Sequence, residues 1–115
     1  MNHGLSAATV GKIHGVLSRH PEVERAVLYG SRAKGNYKNG SDIDLTLHGK
    51  DVGFDEMLGI LGELDDLLLP YTIDLSVFSM IDHAGLREHI QRVGQEFYCR
   101  QAFTGGLPQA QPPLK

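Results

Sequence analysis

Two aspartates one residue apart, Asp42 and Asp44, follow a basic, glycine-punctuated stretch that runs from Gly30-Ser31-Arg32-Ala33-Lys34-Gly35 to Gly40-Ser41. Successive side chains of a strand point to opposite faces, so an extended segment here places both carboxylates on one face, roughly 6–7 Å apart, and Ile43, Leu45 and Leu47 on the other. Side by side in a cleft, such groups repel, and one keeps its proton unless a cation lies between them. Magnesium suits that position because it accepts a few carboxylates, retains waters and takes its remaining ligands from a phosphate. The preceding loop supplies a complementary anion site. Gly30 lets the backbone approach a ligand closely. Ser31 is expected to cap a short helix over residues 32–36, whose free amides and positive dipole end favour negative charge. Ser31 and Ser41 add hydroxyl donors, and Arg32, Lys34 and Lys38 add positive charge. The ligand these residues imply is a nucleoside triphosphate with its metal.

The elements that must position these groups follow from periodicity. Val10, Ile13 and Leu17 recur at helical spacing, which predicts a helix over residues 6–19 with Ser6 as its N-cap and Pro21 beyond its end. Strands are expected over 23–29 and 42–47. Phe54, Met57, Leu58, Leu61, Leu64 and Leu68 predict one apolar face of a helix over 54–69, with Ile60 and Leu67 on the opposite side as candidates for a partner interface. A strand over 71–78 alternates Ile73, Leu75 and Val77 with Thr72, Asp74 and Ser76, so Asp74 stands beside Asp42 and Asp44 if the two strands are neighbours. Asp82 is the expected N-cap of a last helix that presents Leu86, Ile90 and Val93 inward and stops at Gly94. Residues 96–100 read as a short edge strand, and the glycine- and proline-rich segment 104–115 as a disordered tail.

The loop and its aspartates resemble the G-S-x-A-x-G and S-D-x-D signature of the DNA polymerase beta-like nucleotidyltransferase superfamily, and in particular its minimal nucleotidyltransferase (MNT) branch, commonly the antitoxin halves of HEPN/MNT toxin–antitoxin pairs. The resemblance spans about residues 23–99. It implies an α/β (α+β) fold, with a small mixed sheet of three or four strands packed by helices, in one domain over residues 1–103. It also implies a Mg²⁺-dependent transfer of AMP from ATP to a hydroxyl, with a tyrosine of a HEPN ribonuclease toxin as acceptor. Asp42, Asp44 and Asp74 would then be the catalytic and metal-binding residues, Asp74 acting as general base or third metal ligand. Gly30, Ser31, Arg32, Lys34 and Ser41 would bind the nucleotide. Two other readings stand beside this one: a nucleotide-binding antitoxin that works by steric masking, and a small-molecule, antibiotic-modifying nucleotidyltransferase.

Composition narrows the classes further. A chain of 115 residues with 41% hydrophobic content supports one small domain, and a formal net charge of −3 argues against a general nucleic-acid binder. The single Cys99 makes no internal disulfide, the beginning lacks a secretory signal, and no apolar run is long enough to span a bilayer, so the expected location is cytoplasmic. The six histidines show no zinc-site spacing.

Overall fold

In the computed structural model, which describes residues 3–38 and 40–100, the hydroxyl of Ser6 accepts from the Thr9 amide and opens helix α1 (Ala7–Ser18), as its sequence position requires. Ile13, Val16 and Leu17 form the buried stripe of α1. Strand β1 (Arg25–Tyr29) leads directly into a one-turn helix α2 (Gly30–Lys34), and β2 (Ile43–His48) follows the loop. Helix α3 (Phe54–Asp65) crosses to β3 (Ile73–Val77), a 3₁₀ turn covers Phe78–Met80, and α4 (Ala84–Val93) precedes β4 (Gln95–Cys99).

The four strands form a mixed sheet in the order β3-β2-β1-β4, in which β2 and β3 are parallel and the other neighbours antiparallel. This is the α/β arrangement expected from the sequence, with β4 on one edge. One sheet face carries Ala26, Leu28, Ile43, Leu45, Leu47, Leu75 and Val77 against α1 and α3, and most of these have no exposed surface. The other face holds a smaller cluster in which Val27 and Tyr29 of β1 meet Ile90 of α4, with Phe78, Ile81, Leu86 and Val93 at its border.

Three expectations need correction. Ile60 is not a surface residue: it is fully buried with Leu64, and Met57 and Leu61 pack against the same core. These four positions have the i, i+3, i+4, i+7 spacing of a single stripe, whereas Phe54 and Leu58 are about half exposed. The abundance of leucine permitted two stripes, and the polar and glycine positions Asp55, Gly59, Gly62 and Asp66, all exposed, mark which side faces water. Leu67 is half-buried against the core as well. Second, α3 ends at Asp65, four residues earlier than expected, and Leu68 takes a left-handed conformation, φ 55°, with its side chain in solvent. Third, the N-cap of α4 is His83, whose Nδ1 accepts from the Leu86 amide at 3.0 Å, so Asp82 does not cap it. The expected boundary at residue 103 and the tail 104–115 lie outside the described residues.

Candidate functional site

Pairing between strands assembles the acidic groups. Tyr29 lies opposite Asp44 in the antiparallel β1/β2 ladder, and Asp44 lies opposite Asp74 in the parallel β2/β3 ladder. Directly opposed residues share a face, so the two carboxylates form a row across the sheet on the side away from the main core. Asp74 is exposed and Asp44 half-buried. Asp42 lies just before β2, not within it, and is exposed. Its charge still reaches Asp44. Burial, then the charge of Asp74, then that of Asp42 push the Asp44 carboxyl up to about 6.

Gly30 explains how the loop meets this row. Its φ is +76°, a left-handed value suited to glycine, and a Cβ on it would collide with the Asp44 carboxylate. The turn out of β1 therefore closes directly over Asp44. Helix α2 starts at Gly30, with Tyr29 as its N-cap residue and no side-chain cap, so Ser31 sits inside the first turn and does not cap it as expected. Gly35, φ +85°, ends the helix with its amide donating to the Ser31 carbonyl.

Arg32 has a different environment from its neighbours. It is 2% exposed. Its Nε and Nη2 donate to the Ser41 carbonyl at 3.2 and 2.9 Å, and its Nη1 donates to the His3 carbonyl at 2.8 Å. The guanidinium also lies between the rings of Tyr37 and Tyr71, 5.1 and 4.9 Å from their centres. Arg32 thus ties the loop to the N-terminal segment and to the approach to β3, and its donors are directed at backbone oxygens. Ser41 closes the loop: its amide donates to the Lys38 carbonyl, and its Oγ accepts from the Lys38 amide at 2.8 Å. Lys34 and Lys38 are exposed, and Ser31 is half-buried. A cavity of about 280 Å³ flanks the loop between Arg32, Tyr37, Lys38, Pro70 and Tyr71, with none of the three aspartates in its lining.

The donor set is right in kind for a hard divalent cation, being carboxylate oxygens beside a glycine turn that leaves Asp44 room. Among the described residues no three His, Cys, Asp or Glu side chains converge as a ready-made cage. The protein instead presents an acidic row, Asp44 and Asp74, with Asp42 at its lower end.

Sequence reasoning overlooked residues beside this row. Tyr29 immediately precedes Gly30 and is buried, and burial above all, with lesser contributions from the charges of Asp74 and Asp44, raises its phenol. Ser76 donates to Thr46 Oγ1 at 2.9 Å. Gln95 Nε2 donates to the Ala33 carbonyl at 2.8 Å, which fastens β4 to α2. Alternation along the β1/β2 ladder would have placed Tyr29 on the Asp44 face. The apolar character of the run Ala26-Val27-Leu28-Tyr29 disguised that placement as core.

Similarity to known proteins agrees with this geometry. No curated protein sequence matches the chain. Among solved structures, a toxin–antitoxin complex with AMP-PNP superposes with a TM-score of 0.65 at 21% identity, over 81% of this chain and 75% of that one. The toxin–antitoxin pair MntA-HepT gives a TM-score of 0.62 at 18% identity, over 84% and 75%. A tri-AMPylated Shewanella oneidensis HEPN toxin in complex with an MNT antitoxin gives 0.60 at 18%, over 83% and 73%. At these identities the likeness is one of fold. The family model for "Polymerase beta, Nucleotidyltransferase" matches residues 11–103. With the glycine-serine turn closed over an acidic pair and this match across most of its length, the chain belongs to the polymerase beta nucleotidyltransferase family.

Proposed function

We propose that this chain is the antitoxin half of a toxin–antitoxin pair and that it transfers AMP from ATP to a tyrosine hydroxyl of a HEPN-domain toxin. The observation that carries this reading is the pairing of Asp44 with Asp74 across β2 and β3, directly beneath the Gly30 turn. Solved complexes of the same fold hold AMP-PNP in one case and an AMPylated HEPN toxin in another, which supports both the donor and the acceptor.

In the reaction, the acceptor oxygen attacks the α-phosphorus of ATP. The new oxygen–phosphorus bond forms as the bond to the bridging oxygen breaks, pyrophosphate departs, and the acceptor proton passes to a carboxylate. Asp74, the more exposed of the paired acids, would take that proton. Gly30, Ser31, Ser41 and Lys34 orient the triphosphate, while Arg32 acts from behind by holding the loop. Mg²⁺, held by Asp42, Asp44 and Asp74, would neutralise charge on the phosphates. Catalysis then consists of alignment and electrostatics, without a covalent enzyme intermediate. Among the described residues no helix is long and apolar enough to cross a membrane, and reliance on ATP is consistent with action in the cytoplasm.

The test is to incubate the chain with its HEPN partner, ATP and Mg²⁺ and follow intact mass. An AMP-sized gain on the partner with the wild type, absent with Asp44→Asn, is expected. No gain with either protein, together with protection of cells by the Asp42→Asn, Asp44→Asn variant, would replace transfer with steric masking. AMP transfer to a hydroxylated drug without any partner would indicate a small-molecule enzyme.

A further inference from the structure

A second rank of side chains crosses the same face of the sheet at its other end. Arg25 of β1 lies directly opposite His48 of β2, and the Phe78 ring, just past β3, stacks on the His48 ring with 4.8 Å between centres and 26° between planes. Arg87 of α4 fixes Phe78. Its guanidinium lies 4.5 Å from the ring centre, and its Nη1 donates to the Phe78 and Ile81 carbonyls at 3.1 Å each. His48 is four residues along β2 from Asp44, about 13 Å at the rise of a strand, and Val27, Tyr29 and Thr46 between the two ranks are buried. A cavity of about 220 Å³ opens beside this rank, lined by Arg25, Val27, His48, Phe78, Ile90 and Glu96 among others and by none of the three aspartates.

The lining defines the ligand it would take. Val27, Ile90 and the stacked rings are apolar and suit a flat molecule. Arg25 and Glu96 are about half exposed, and their Nη1 and Oε1 are 3.8 Å apart, longer than a hydrogen bond, so a donor and an acceptor stand side by side without being joined. His48 Nε2 is buried and has no hydrogen-bond partner among the described residues, a costly condition that a bound polar group would relieve. Burial, then the charge of Arg25, lowers His48, so its ring is neutral at pH 7. The lining charges then balance: an anion would face Glu96 and a cation Arg25, and a neutral ligand faces neither penalty. At about 30 Å³ per water, the cavity has the room of about seven waters, which suits one substituted six-membered ring. We propose that this cavity binds a pyrimidine base of the cytosine pattern, held by Arg25, His48 and Glu96. Glu96 accepts from the exocyclic amine, as carboxylates do with cytosine, Arg25 donates to the ring nitrogen and carbonyl, and His48 Nε2 gains a partner. The site is separate from the acidic row and stands whether or not the chain transfers AMP.

The test is an NMR titration of the full chain with cytosine, following backbone amides and the His48 ring. Saturating shifts centred on His48, Gly94 and Glu96 are expected, with a dissociation constant in the low millimolar range that so few atoms allow, and with Gly30 and Asp44 unmoved. Uracil, which carries an acceptor where cytosine carries its amine, should bind about tenfold more weakly. Glu96→Gln should narrow or reverse that preference, because an amide also donates, and its half-exposed position should leave Tm near the wild-type value. Cytidine and single-stranded tetracytidylate, compared per base, identify the source: equal affinity marks a free base, tighter binding of the oligomer an unpaired base of RNA, and both sustain the pocket. Absence of saturation below about 50 mM overturns the proposal. So do equal affinities for cytosine and uracil that Glu96→Gln leaves unchanged, which would mean apolar partition alone. Displacement of cytosine by ATP with Mg²⁺ would make the cavity part of the ATP site and overturn its separateness.

Discussion

The two faces of the sheet are built for different ends. On the face toward α1 and α3, Ala26, Leu28, Ile43, Leu45 and Leu47 are completely buried and meet Ile13, Val16, Leu17, Ile60 and Leu64. On the opposite face, the apolar residues Val27 and Tyr29 are covered by α4, but along β2 and β3 the same face carries Asp44, Thr46, Asp74 and Ser76. The first face supplies most of the stability, and the second gives part of it up to hold like charges together. The chemistry is placed where the helical cover stops.

That contrast is open to direct attack, beginning with the larger effects. Leu47→Ala leaves a cavity on the fully packed face, and a loss of about 3 kcal/mol is expected by chemical denaturation. Arg32→Ala is the next largest. It strands the Ser41 and His3 carbonyls and empties the space between Tyr37 and Tyr71, for a loss of about 2 kcal/mol. Arg32→Lys should recover little of it, because a single ammonium cannot serve both carbonyls and stack between two rings.

Asp44→Asn should act in the opposite direction. The Asp44 carboxyl is raised from 3.8 to about 6 in the folded chain. A raised carboxyl favours the fold while protonated, so this group's contribution is best below about pH 4, declines as pH rises to about 6 and is unfavourable at neutral pH. After allowance for solvent screening at a partly exposed site, Asp44→Asn should gain about 1 kcal/mol at pH 7.5, or about 4 °C in Tm. Melting curves against pH should show that gain shrinking as the buffer approaches pH 4. The smallest change belongs to the outer surface of α3, where Leu58→Ser should alter stability by no more than about 0.5 kcal/mol. A loss above 1.5 kcal/mol there would mean that the buried arc of α3 had been misplaced.

Much of this arrangement was legible in the chain. The strand alternation around Asp74 gave its face but left its partner conditional on the two strands being neighbours, and the parallel β2/β3 pairing meets that condition and sets Asp74 opposite Asp44. The Ser6 cap was equally plain. The orientation of α3 was not, since its leucines fit more than one arc and only tertiary packing selects Ile60 and Leu64. Arg32 read as a phosphate ligand because a basic residue beside a glycine-serine pair is normally solvated. Its burial depends on Tyr37 of the same loop and on Tyr71 and His3, both far from it in the chain. His83 outranked Asp82 as a cap because the helix begins one residue later than the aspartate implied.

The most direct test of the account is the intact mass of a HEPN-domain partner purified after coexpression with this chain. With the wild type, the partner should carry one or more AMP-sized additions, and with Asp44→Asn, which folds at least as well, none. A partner of unmodified mass in both preparations, with toxicity suppressed equally, would contradict the assignment of the acidic row to nucleotide transfer.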